Sequence, residues 1–371
     1  MSSLSQNNFS MKKILIICGT RPEIIKLAPV YHQLKNENWA KVSWLHTGQH
    51  EEMSTSILAC FNIVPDITLK RTGTTLAEFS LGCRAQLETV LDSQQWSLVI
   101  VQGDTESAFL GALTAFYHRI PIAHVEAGLR TYDLNRPFPE EGLRQMLSRI
   151  THFNFPPTEG AKNALLAEAI PAHLIHVTGN TVVDAQKWVI ENYHIRAEIL
   201  DQKQILVTMH RRENWGDEIE EACLAIAEFA QRHAGLAVLF PVHLNPIVKG
   251  PVYEILGNLA NVSLIPPLDY LEMQQAIANS WLILTDSGGI QEEAPTFGVP
   301  VLVLRKETER PEAVEAGCAK IIGTSRQAIL DNVELLWSDD YLYQSMQSKN
   351  NPFGDGHASN RIAGILEKKL V

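Results

Sequence analysis

The sequence has little that would favour a nucleic-acid partner, a membrane span or a disulfide-linked scaffold. Its formal net charge is −11, which argues against nucleic acid and against an anionic membrane surface as the main partner. No apolar run approaches the length needed to span a bilayer. The chain has 5 cysteines, and no two of them have CxxC spacing. We therefore expect reduced thiols in a cytoplasmic protein that binds neither nucleic acid nor membrane.

The motifs that usually hold a dinucleotide or a metal ion are missing as well. The loop after the first candidate strand lacks the GxGxxG pattern of nicotinamide-binding folds. The histidines show no metal-binding spacing such as HExxH. We expect no cofactor and no structural or catalytic metal, although a basic pocket for a small anion remains compatible with the negative net charge.

Short apolar runs alternate with longer amphipathic segments along the whole chain. Several of the runs are rich in Ile and Val on both faces, which is typical of parallel strands covered by helices. The predicted strands fall into two series, namely 13–18, 41–46, 97–102, 121–125, 152–155 and 175–178, then 204–209, 237–242, 262–265, 281–285, 299–304 and 319–323. The alternation predicts an α/β fold with two Rossmann-like domains and a central cleft.

The domain boundary is expected near residue 180, where the strand pattern restarts. A chain of 371 residues is longer than one hydrophobic core usually serves. The first ten residues, MSSLSQNNFS, are polar and lack an apolar signal region. We predict a disordered leader at 1–10, an N-terminal domain at 11–180 and a C-terminal domain at 181–355.

Charged residues follow several strands of the first series, where ligands of such folds bind. In CGTRPEIIK, Arg21 and Lys26 lie near a helix start and suit an anion, although a capped helix with solvated charges explains them equally. Asp104 in VQGDTES, Glu126 in HVEAGLR and Glu140 in RPFPEEGLRQ lie on three successive loops. Asp104 could be only a helix N-cap, whereas Glu is a poor cap. Three acids in one cleft indicate acid/base chemistry.

The second series carries histidines and arginines at strand ends. TMHRREN contains His210 and Arg211, and FPVHLNP contains His243. A single histidine is more often structural than catalytic. A histidine beside two arginines at a strand end is a stronger candidate for chemistry.

The stretch LTDSGGIQEEAP places Ser287, Gly288 and Gly289 between a strand and a helix start. Backbone N–H groups and a hydroxyl in this position can surround a phosphate. Glu293, which we expect about one turn further along the helix, would then accept hydrogen bonds from the ribose of a nucleotide. The alternative is an ordinary Gly-Gly turn with solvated acids.

Taken together, these segments resemble the non-hydrolysing UDP-N-acetylglucosamine 2-epimerases of bacterial cell-envelope synthesis. Ten segments match the family in order, namely GTRPEIIKLAPV, GDTESA, HVEAGLRTYD, PEE, TGNTVVDA, HRREN, PVHLNP, DSGGIQEEAP, ETERPEAVEAG and NPFGDGHAS. The resemblance covers essentially all of residues 11–371. Each segment is weak alone, but ten in sequence are specific.

The resemblance implies a homodimer with a GT-B fold that interconverts UDP-N-acetylglucosamine and UDP-N-acetylmannosamine, and whose C-terminal helix, about 356–371, packs back on the first domain. It implies that the second domain binds UDP. Its implied catalytic residues are Asp104, Glu126, Glu140 and His210. Its implied substrate-binding residues are Arg21, Lys26, Arg144, His243, Leu268, Met273, Ser287, Gly288, Gly289, Glu293 and Arg310.

The chain departs from the family pattern at a few positions. Leu143 stands where the family usually has Asn, and Met273 stands near the uracil, where the family often has an aromatic residue. A second, activating UDP-N-acetylglucosamine site of the family corresponds to Gln49, His50, Glu52 and Arg211. Its usual basic companion is replaced by acids in GQHEEM, and no arginine aligns near Gly73, which weakens the expectation of allosteric activation.

Several functions are compatible with these patterns. The second carbon of the sugar has no neighbouring carbonyl, so an epimerase without a nicotinamide must eliminate UDP and add it back. A GT-B glycosyltransferase, a hydrolysing epimerase, an epimerase of a modified UDP-sugar and a non-catalytic UDP-sugar sensor are the alternatives. The presence of all the acids favours catalysis.

Overall fold

The computed structural model describes residues 11–211, 214–347 and 350–371, without the side chains of residues 51–53. The predicted leader, residues 1–10, lies outside the described residues, as do Arg212 and Glu213 of the HRREN segment. The chain forms two compact units. The first unit runs to Ala185 and also includes Gly354–Val371, and the second comprises Gln186–Phe353. The division falls within the helix Thr181–Tyr193.

The first unit is a parallel sheet with helices between its strands. Its strands are β1 Lys12–Cys18, β2 Ala40–His46, β3 Ile67–Thr68, β4 Leu98–Gln102, β5 Ile122–Val125 and β6 Phe153–Phe155. Its helices are α1 Arg21–Lys35, α2 Glu51–Cys60, α3 Leu76–Asp92, α4 Glu106–Tyr117, α5 Glu140–Ile150, α6 Glu159–Ala167 and the start of α7 Thr181–Tyr193. The sheet order is β3-β2-β1-β4-β5-β6, and every pairing is parallel.

The second unit repeats this construction. Its strands are β7 Lys203–Thr208, β8 Leu236–Pro241, β9 Val262–Ile265, β10 Leu282–Thr285, β11 Val301–Val303 and β12 Ala319–Ile321. Its helices are α8 Asp217–Arg232, α9 Pro246–Leu256, α10 Tyr270–Ala278, α11 Gly288–Glu293, α12 Pro311–Glu315, α13 Arg326–Ser338 and α14 Asp340–Met346. The last helix of the chain, α15 Ala358–Leu370, belongs to the first unit.

The two sheets have the same topology. Read from its other edge, the order of the second sheet is β9-β8-β7-β10-β11-β12. Counted within the unit, these are the third, second, first, fourth, fifth and sixth strands, which is the order of the first sheet. The predicted α/β fold of two Rossmann-like halves is therefore confirmed. In such sheets the direction of winding reverses between the first and fourth strands, and ligands bind beyond the carboxyl ends there. Those positions are the loops after β1 and β4, and after β7 and β10.

Burial explains why the strands form where they do. The central strands β1, β4 and β10 are almost wholly buried, with Ile14 and Leu282 inaccessible to solvent. Aliphatic side chains on both faces of a strand are stabilised only when helices cover both sides of the sheet. Among the described residues, no helix is both long and apolar enough to cross a membrane.

One predicted strand was wrong. Residues 175–178 form no strand, and Ile175 makes only an isolated bridge with Asn154. The Thr178 N–H donates to the carbonyl of Pro156 at 3.1 Å, but Pro156 and Pro157 have no N–H to donate in return. The parallel ladder therefore cannot continue past β6.

The sixth strand of the first sheet is instead β3, which the sequence pattern did not reveal. It has only two residues, and Ile67 and Thr68 pair with Leu45 and His46 of β2. A two-residue strand is too short to show any periodicity.

The helix α15 is joined to the first unit by the start of α7. The Asp184 carboxylate accepts hydrogen bonds from the backbone N–H groups of Ala358 at 3.2 Å and Ser359 at 2.7 Å. Asn360 donates to the Gln33 side chain at 2.9 Å, where α15 packs on α1. The carboxylate thus satisfies N–H groups that a helix start leaves without intrahelical partners.

Candidate active site

The loop after β1 is built around a position that only glycine can occupy. A Cβ at Gly19 would overlap the hydroxyls of Thr47 and Ser107, so no larger residue fits without movement of the loop after β2 and the start of α4. Thr20 then caps α1 in extended conformation, and Arg21 begins the helix, partly exposed to solvent. The sequence thus places a guanidinium at the carboxyl end of the central strand.

Glu23 lies beneath this loop and is fully buried. Its carboxyl group accepts hydrogen bonds from the N–H groups of Gly19 at 3.0 Å and Thr20 at 2.8 Å. It also accepts one from the Thr105 hydroxyl at 2.7 Å, which joins the loops after β1 and β4. Burial raises the pKa of Glu23 to about 7, against the opposing effect of these hydrogen bonds.

Glu126 follows β5 in left-handed backbone conformation, with φ of 62°. It is almost fully buried and forms an ion pair with Lys26 of α1. Gln102 donates to its second oxygen, and Asn180 donates to its first at 3.3 Å. A non-glycine residue in this conformation carries local strain, which the surrounding contacts must offset. The Glu126 carboxylate is thus fixed by an ion pair and two hydrogen bonds, and it does not cap a helix.

Asp104 is likewise not a helix cap, because Thr105 caps α4 with its hydroxyl. The Asp104 carboxylate lies 3.4 Å from Nε of Arg144 on α5. A Cβ placed on the neighbouring Gly103 would lie 3.9 Å from a Glu126 oxygen. The loop of Asp104 therefore passes beside Glu126, and the two predicted acids belong to one cluster of the first unit.

The buried side chain of His124 holds the loop that carries Asp104. The Nε2–H of His124 donates to the Gly103 carbonyl at 2.7 Å, which defines the tautomer because a carbonyl can only accept. Burial lowers the pKa of His124 to about 4, so its ring is neutral at physiological pH.

Glu140 and Glu141 are adjacent at the start of α5 but have different surroundings. Oε2 of Glu140 is buried and has no hydrogen-bond partner among the described residues. Glu141 is fully buried and accepts hydrogen bonds from the N–H groups of Thr131 at 3.0 Å and Tyr132 at 3.1 Å. Burial raises the pKa of Glu141, but these bonds, the Gln145 amide and the Arg144 charge outweigh it, and its pKa is lowered.

Arg144 lies between the two carboxylates that flank it. Its Nε is 3.2 Å from Glu141 and 3.4 Å from Asp104, close enough for ion pairs but without the alignment of a hydrogen bond. The first unit thus brings together Lys26, Asp104, Glu126, Glu140 and Arg144 from the predicted site. Such a set can hold and transfer protons beside a negatively charged ligand.

In the second unit, His210 follows β7 and faces Asp286, which follows β10. Nδ1 of His210 lies 3.2 Å from Oδ1 of Asp286, and the His210 side chain is 47% exposed. Burial lowers the pKa of His210, the Asp286 charge raises it, and Arg211 and His243 lower it further, with a net decrease. His210 is thus neutral near pH 7 and able to accept a proton.

The Ser-Gly-Gly segment forms the start of α11, with Ser287 as its N-cap residue. The Ser287 N–H is not available to a ligand, since it donates to the Thr285 hydroxyl at 2.9 Å. A Cβ on Gly288 would lie 3.7 Å from Arg211 Nη2 and 3.8 Å from Arg310 Nη2. Two guanidinium groups therefore flank this glycine, an arrangement that suits a diphosphate.

The two acids of the same helix have separate surroundings. Glu292 is almost fully buried and forms an ion pair with Arg310. Glu293 accepts a hydrogen bond from the Gln274 amide at 2.8 Å. Glu293 is the last residue of α11 and lies about one turn after Gly289, or about 9 Å of helix after Ser287.

The remaining predicted binding residues of the second unit lie at partly exposed positions. Leu268 precedes α10, and Met273 lies within it, one residue before Gln274. His243 is exposed after β8 and accepts the Asn245 N–H at its Nδ1 at 3.2 Å. Its charge lowers the pKa of His210.

The segment expected to form the activating site packs on the first-strand loop. The Gln49 side chain accepts the Ser107 N–H at 3.1 Å, and the His50 N–H donates to the Gly19 carbonyl at 2.9 Å. Burial and the charge of Arg71 lower the pKa of His50. Glu52 lies in α2, and its side chain is outside the described part of the chain. Arg211 lies at Gly288, beside the candidate phosphate position of the second unit.

Comparison with known proteins agrees with this geometry. A sequence model of the UDP-N-acetylglucosamine 2-epimerases matches residues 32–367. The UDP-N-acetylglucosamine 2-epimerase of Escherichia coli (strain K12) is 43% identical over 97% of this chain and 99% of that protein. The chain belongs to the UDP-N-acetylglucosamine 2-epimerase family.

Solved structures of the 2-epimerase family agree with the fold. The UDP-GlcNAc 2-epimerase of Neisseria meningitidis, solved with UDP-GlcNAc, matches with a TM-score of 0.87 and 41% identity over 96% of this chain and 100% of that chain. A Staphylococcus aureus protein solved with UDP matches with a TM-score of 0.86 and 43% identity over 97% of each chain. The predicted family and its GT-B-like fold are therefore confirmed.

Sequence reasoning about this 2-epimerase-family chain missed several residues that the structure ties to the site. They share direct contacts with predicted residues or their loops, and they are Glu23, Arg71, Gln102, His124, Glu141, Asn180, Asp286 and Glu292. Arg71 is a basic companion of the Gln49 segment, since its guanidinium donates to the Gln49 carbonyl. Three of the acids, Glu141, Asp286 and Glu292, had a visible signal, because each stands beside a predicted residue in PEE, DSGG or QEE.

Proposed function

We propose that the protein interconverts UDP-N-acetylglucosamine and UDP-N-acetylmannosamine at the second carbon of the sugar, and so supplies N-acetylmannosamine units for surface polysaccharide. The main support is a cluster of acids that follow β4, follow β5 and begin α5. The chain that carries them is 43% identical to an Escherichia coli 2-epimerase. A relative from Neisseria meningitidis was solved with UDP-GlcNAc, which supports the same substrate here. A sensor of UDP-sugars would need the binding residues but not the acids.

The chemistry follows from the position of the proton. Direct removal from the second carbon is costly because no carbonyl is adjacent to stabilise the negative charge. Elimination solves this, since a base takes the proton while the bond between the sugar and the β-phosphate oxygen breaks, which gives UDP and a glycal. Addition of UDP with protonation from the opposite face then completes the inversion. This route requires a base, an acid and a cationic clamp on the diphosphate.

We assign the proton transfers to Asp104, Glu126, Glu140 and His210. Glu140 has a buried oxygen without a partner among the described residues, which suits a group that exchanges a proton with a ligand. The lowered pKa of His210 keeps its imidazole neutral near pH 7, so that the ring can accept a proton. Lys26 and Arg144 form ion pairs with Glu126 and Asp104 and hold these two carboxylates in place.

We assign UDP binding to the second unit. Arg310 and Arg211 flank Gly288 and would neutralise the diphosphate as the sugar bond breaks, with Ser287 and Gly289 beside it. Glu293 would accept the ribose hydroxyls, and Leu268 and Met273 would contact the uracil, where a flexible thioether can pack on a flat base. Arg21 and His243 would complete the contacts to the substrate.

We also propose that the protein acts as a homodimer in the cytoplasm. Leu81 on α3 and Phe116 and Tyr117 on α4 are strongly exposed apolar side chains, and the Arg84 guanidinium lies 5.0 Å from the Tyr117 ring. Apolar groups of this kind favour an interface between copies. All five cysteines are buried thiols, which fits a reducing compartment. Light scattering on Leu81→Arg tests the dimer, and a mass equal to that of wild type would exclude this face.

The test of the reaction is incubation with UDP-N-acetylglucosamine in D₂O, followed by NMR. Elimination and re-addition place deuterium at the second carbon of both sugars without added NAD. In at least one of Asp104→Asn, Glu126→Gln and Glu140→Gln, elimination should outrun re-addition, so that UDP and glycal accumulate. Release of free N-acetylmannosamine by wild type would instead identify a hydrolysing epimerase.

Positional isotope exchange separates elimination from transient oxidation of the neighbouring hydroxyl. With ¹⁸O in the bridging oxygen, elimination frees the β-phosphate to rotate, and the label appears in its non-bridging positions. A label that remains in the bridge through many turnovers, with no glycal from any variant, would exclude the proposed mechanism.

A further inference from the structure

Asp286 has no role in the proton transfers assigned above, yet it accepts several hydrogen bonds from the loop after β7. It is fully buried at the end of β10. Its Oδ2 accepts hydrogen bonds from the N–H groups of His210 at 3.0 Å and Arg211 at 2.9 Å, and from the Asn214 amide at 3.0 Å. Asn214 is itself held by the Leu304 carbonyl at 3.1 Å. Asp286 therefore cannot turn away from the loop after β7.

The other oxygen of Asp286 faces the imidazole of His210. Oδ1 lies 3.2 Å from Nδ1, which is an ion-pair distance without the alignment of a hydrogen bond, and a carboxylate can only accept at this position. The negative charge of Oδ1 favours the tautomer of the neutral imidazole that carries its proton on Nδ1, in which Nε2 keeps its lone pair. Nε2 has no hydrogen-bond partner within the described ranges, and nearly half of the side chain is exposed.

We propose that Asp286 is a positioning residue that fixes the tautomer and orientation of His210, so that Nε2 receives and returns the proton of the sugar. The inference rests on the proposed function for the identity of that proton, but the tautomer itself does not. The same carboxylate holds the Arg211 backbone and immediately precedes Ser287, the N-cap of α11. One buried group thus sets both the proton-transfer ring and the loop at the diphosphate position.

The charge of Asp286 also acts on the ring. The described charged groups that face His210 are Asp286, which raises its pKa, and Arg211 and His243, which lower it. Replacing the carboxylate by an amide should therefore lower the pKa of His210 further and make its ring a weaker base. A purely structural role for Asp286 would leave the tautomer unaffected.

The first measurement uses the unmodified full-length protein without ligand. In protein labelled with ¹⁵N-histidine, the His210 signals are identified by their loss in His210→Gln. We expect neutral His210 to carry its proton on Nδ1, the reverse of the preference of histidine in water. A proton on Nε2 would overturn the proposal, even if Asp286→Asn cannot be folded.

The second measurement compares Asp286→Asn with Asp184→Asn as matched control. Both wild-type carboxylates are buried and accept two backbone N–H groups, but Asp184 lies in the first unit and accepts from the start of α15. We expect only Asp286→Asn to lose the Nδ1–H tautomer and to lower the His210 pKa. We expect kcat to fall on the order of 10²-fold, with a smaller change in the dissociation constant of UDP.

The outcomes separate this inference from the proposed function. An unchanged tautomer and pKa in Asp286→Asn, or equal changes in Asp184→Asn, would contradict the positioning role. If the tautomer changes as expected but wild type does not epimerise UDP-N-acetylglucosamine, the positioning role stands and the proposed reaction fails.

Discussion

The two units have the same strand order but carry opposite chemistry on it. In the first unit, the loops after β4 and β5 carry Asp104 and Glu126, and cations serve as their partners. In the second unit, Arg211 and Arg310 flank Gly288, and acids serve as partners of the cations. The topology thus sets where the charged residues lie, whereas the residue types at the strand ends set whether carboxylates or guanidinium groups collect there.

The comparison also separates two kinds of buried carboxylate. Glu141 and Asp286 each accept two backbone N–H groups from a neighbouring loop, so they hold that loop in place. Glu140 instead keeps a buried oxygen without a partner among the described residues. A fully bonded carboxylate stabilises a site, and an incompletely bonded one is available to a ligand.

The largest effect should come from the adjacent pair of acids at α5. Glu140→Gln should lower kcat by about 10²- to 10⁴-fold, the usual contribution of acid–base catalysis, with little loss of stability. Glu141→Gln should instead lower the melting temperature, because an amide cannot accept as well from Thr131 and Tyr132. NMR assays and thermal unfolding of both variants check this. A lower melting temperature in Glu140→Gln together with a large loss of kcat only in Glu141→Gln would contradict this assignment.

The second test concerns Glu23 and the dependence of stability on pH. Its folded-state pKa of about 7 lies above the unfolded value of 4.5. The folded state therefore binds more protons between these values, so Glu23 contributes stability below pH 4.5 that is lost as pH rises through 7. Relative to Glu23→Gln, wild type should lose on the order of 3 kcal/mol across this window. Denaturant unfolding at several pH values measures it, and a constant difference between the two proteins would refute the raised pKa.

The third test addresses nucleotide binding by the second unit. Glu293→Ala should weaken UDP binding by about 1.5–3 kcal/mol, the range for a hydrogen bond to a charged group, without unfolding the protein. Glu315→Ala, an exposed acid at the end of α12, serves as control. Calorimetric titration with UDP decides, and an unchanged affinity in Glu293→Ala would remove the ribose role.

The smallest effect should distinguish two helix caps of the first unit. Thr105 and Thr158 each accept a backbone N–H at the start of a helix, so replacing either by Ala should cost about 1 kcal/mol. Only Thr105 also donates to Glu23, which lies under the predicted site. We expect lower turnover in Thr105→Ala but not in Thr158→Ala. Equal turnover in both would mean that the link through Glu23 has no functional effect.

Much of the fold could be predicted because its signal is local. Strands such as β1 and β10 are continuous apolar runs, and burial on both faces of a parallel sheet requires that composition. The two-residue β3 has no such signal. Residues 175–178 have a strand-like composition, but the adjacent prolines of another segment stop the ladder. Pairing depends on the neighbouring strand, and composition does not report which strand that is.

The sequence by itself determined the strand-and-helix alternation, the ordered motifs of the family and the residue types at the strand ends. The tertiary structure alone decided which charges meet. Lys26 and Glu126 pair although 100 positions separate them, and Asp286 faces His210 from 76 positions away. Chain spacing carries no information on such contacts, because the parallel topology brings distant strand ends to one edge of the sheet. The surroundings of each carboxylate at that edge then determine whether backbone N–H groups occupy its oxygens or leave them available to a ligand.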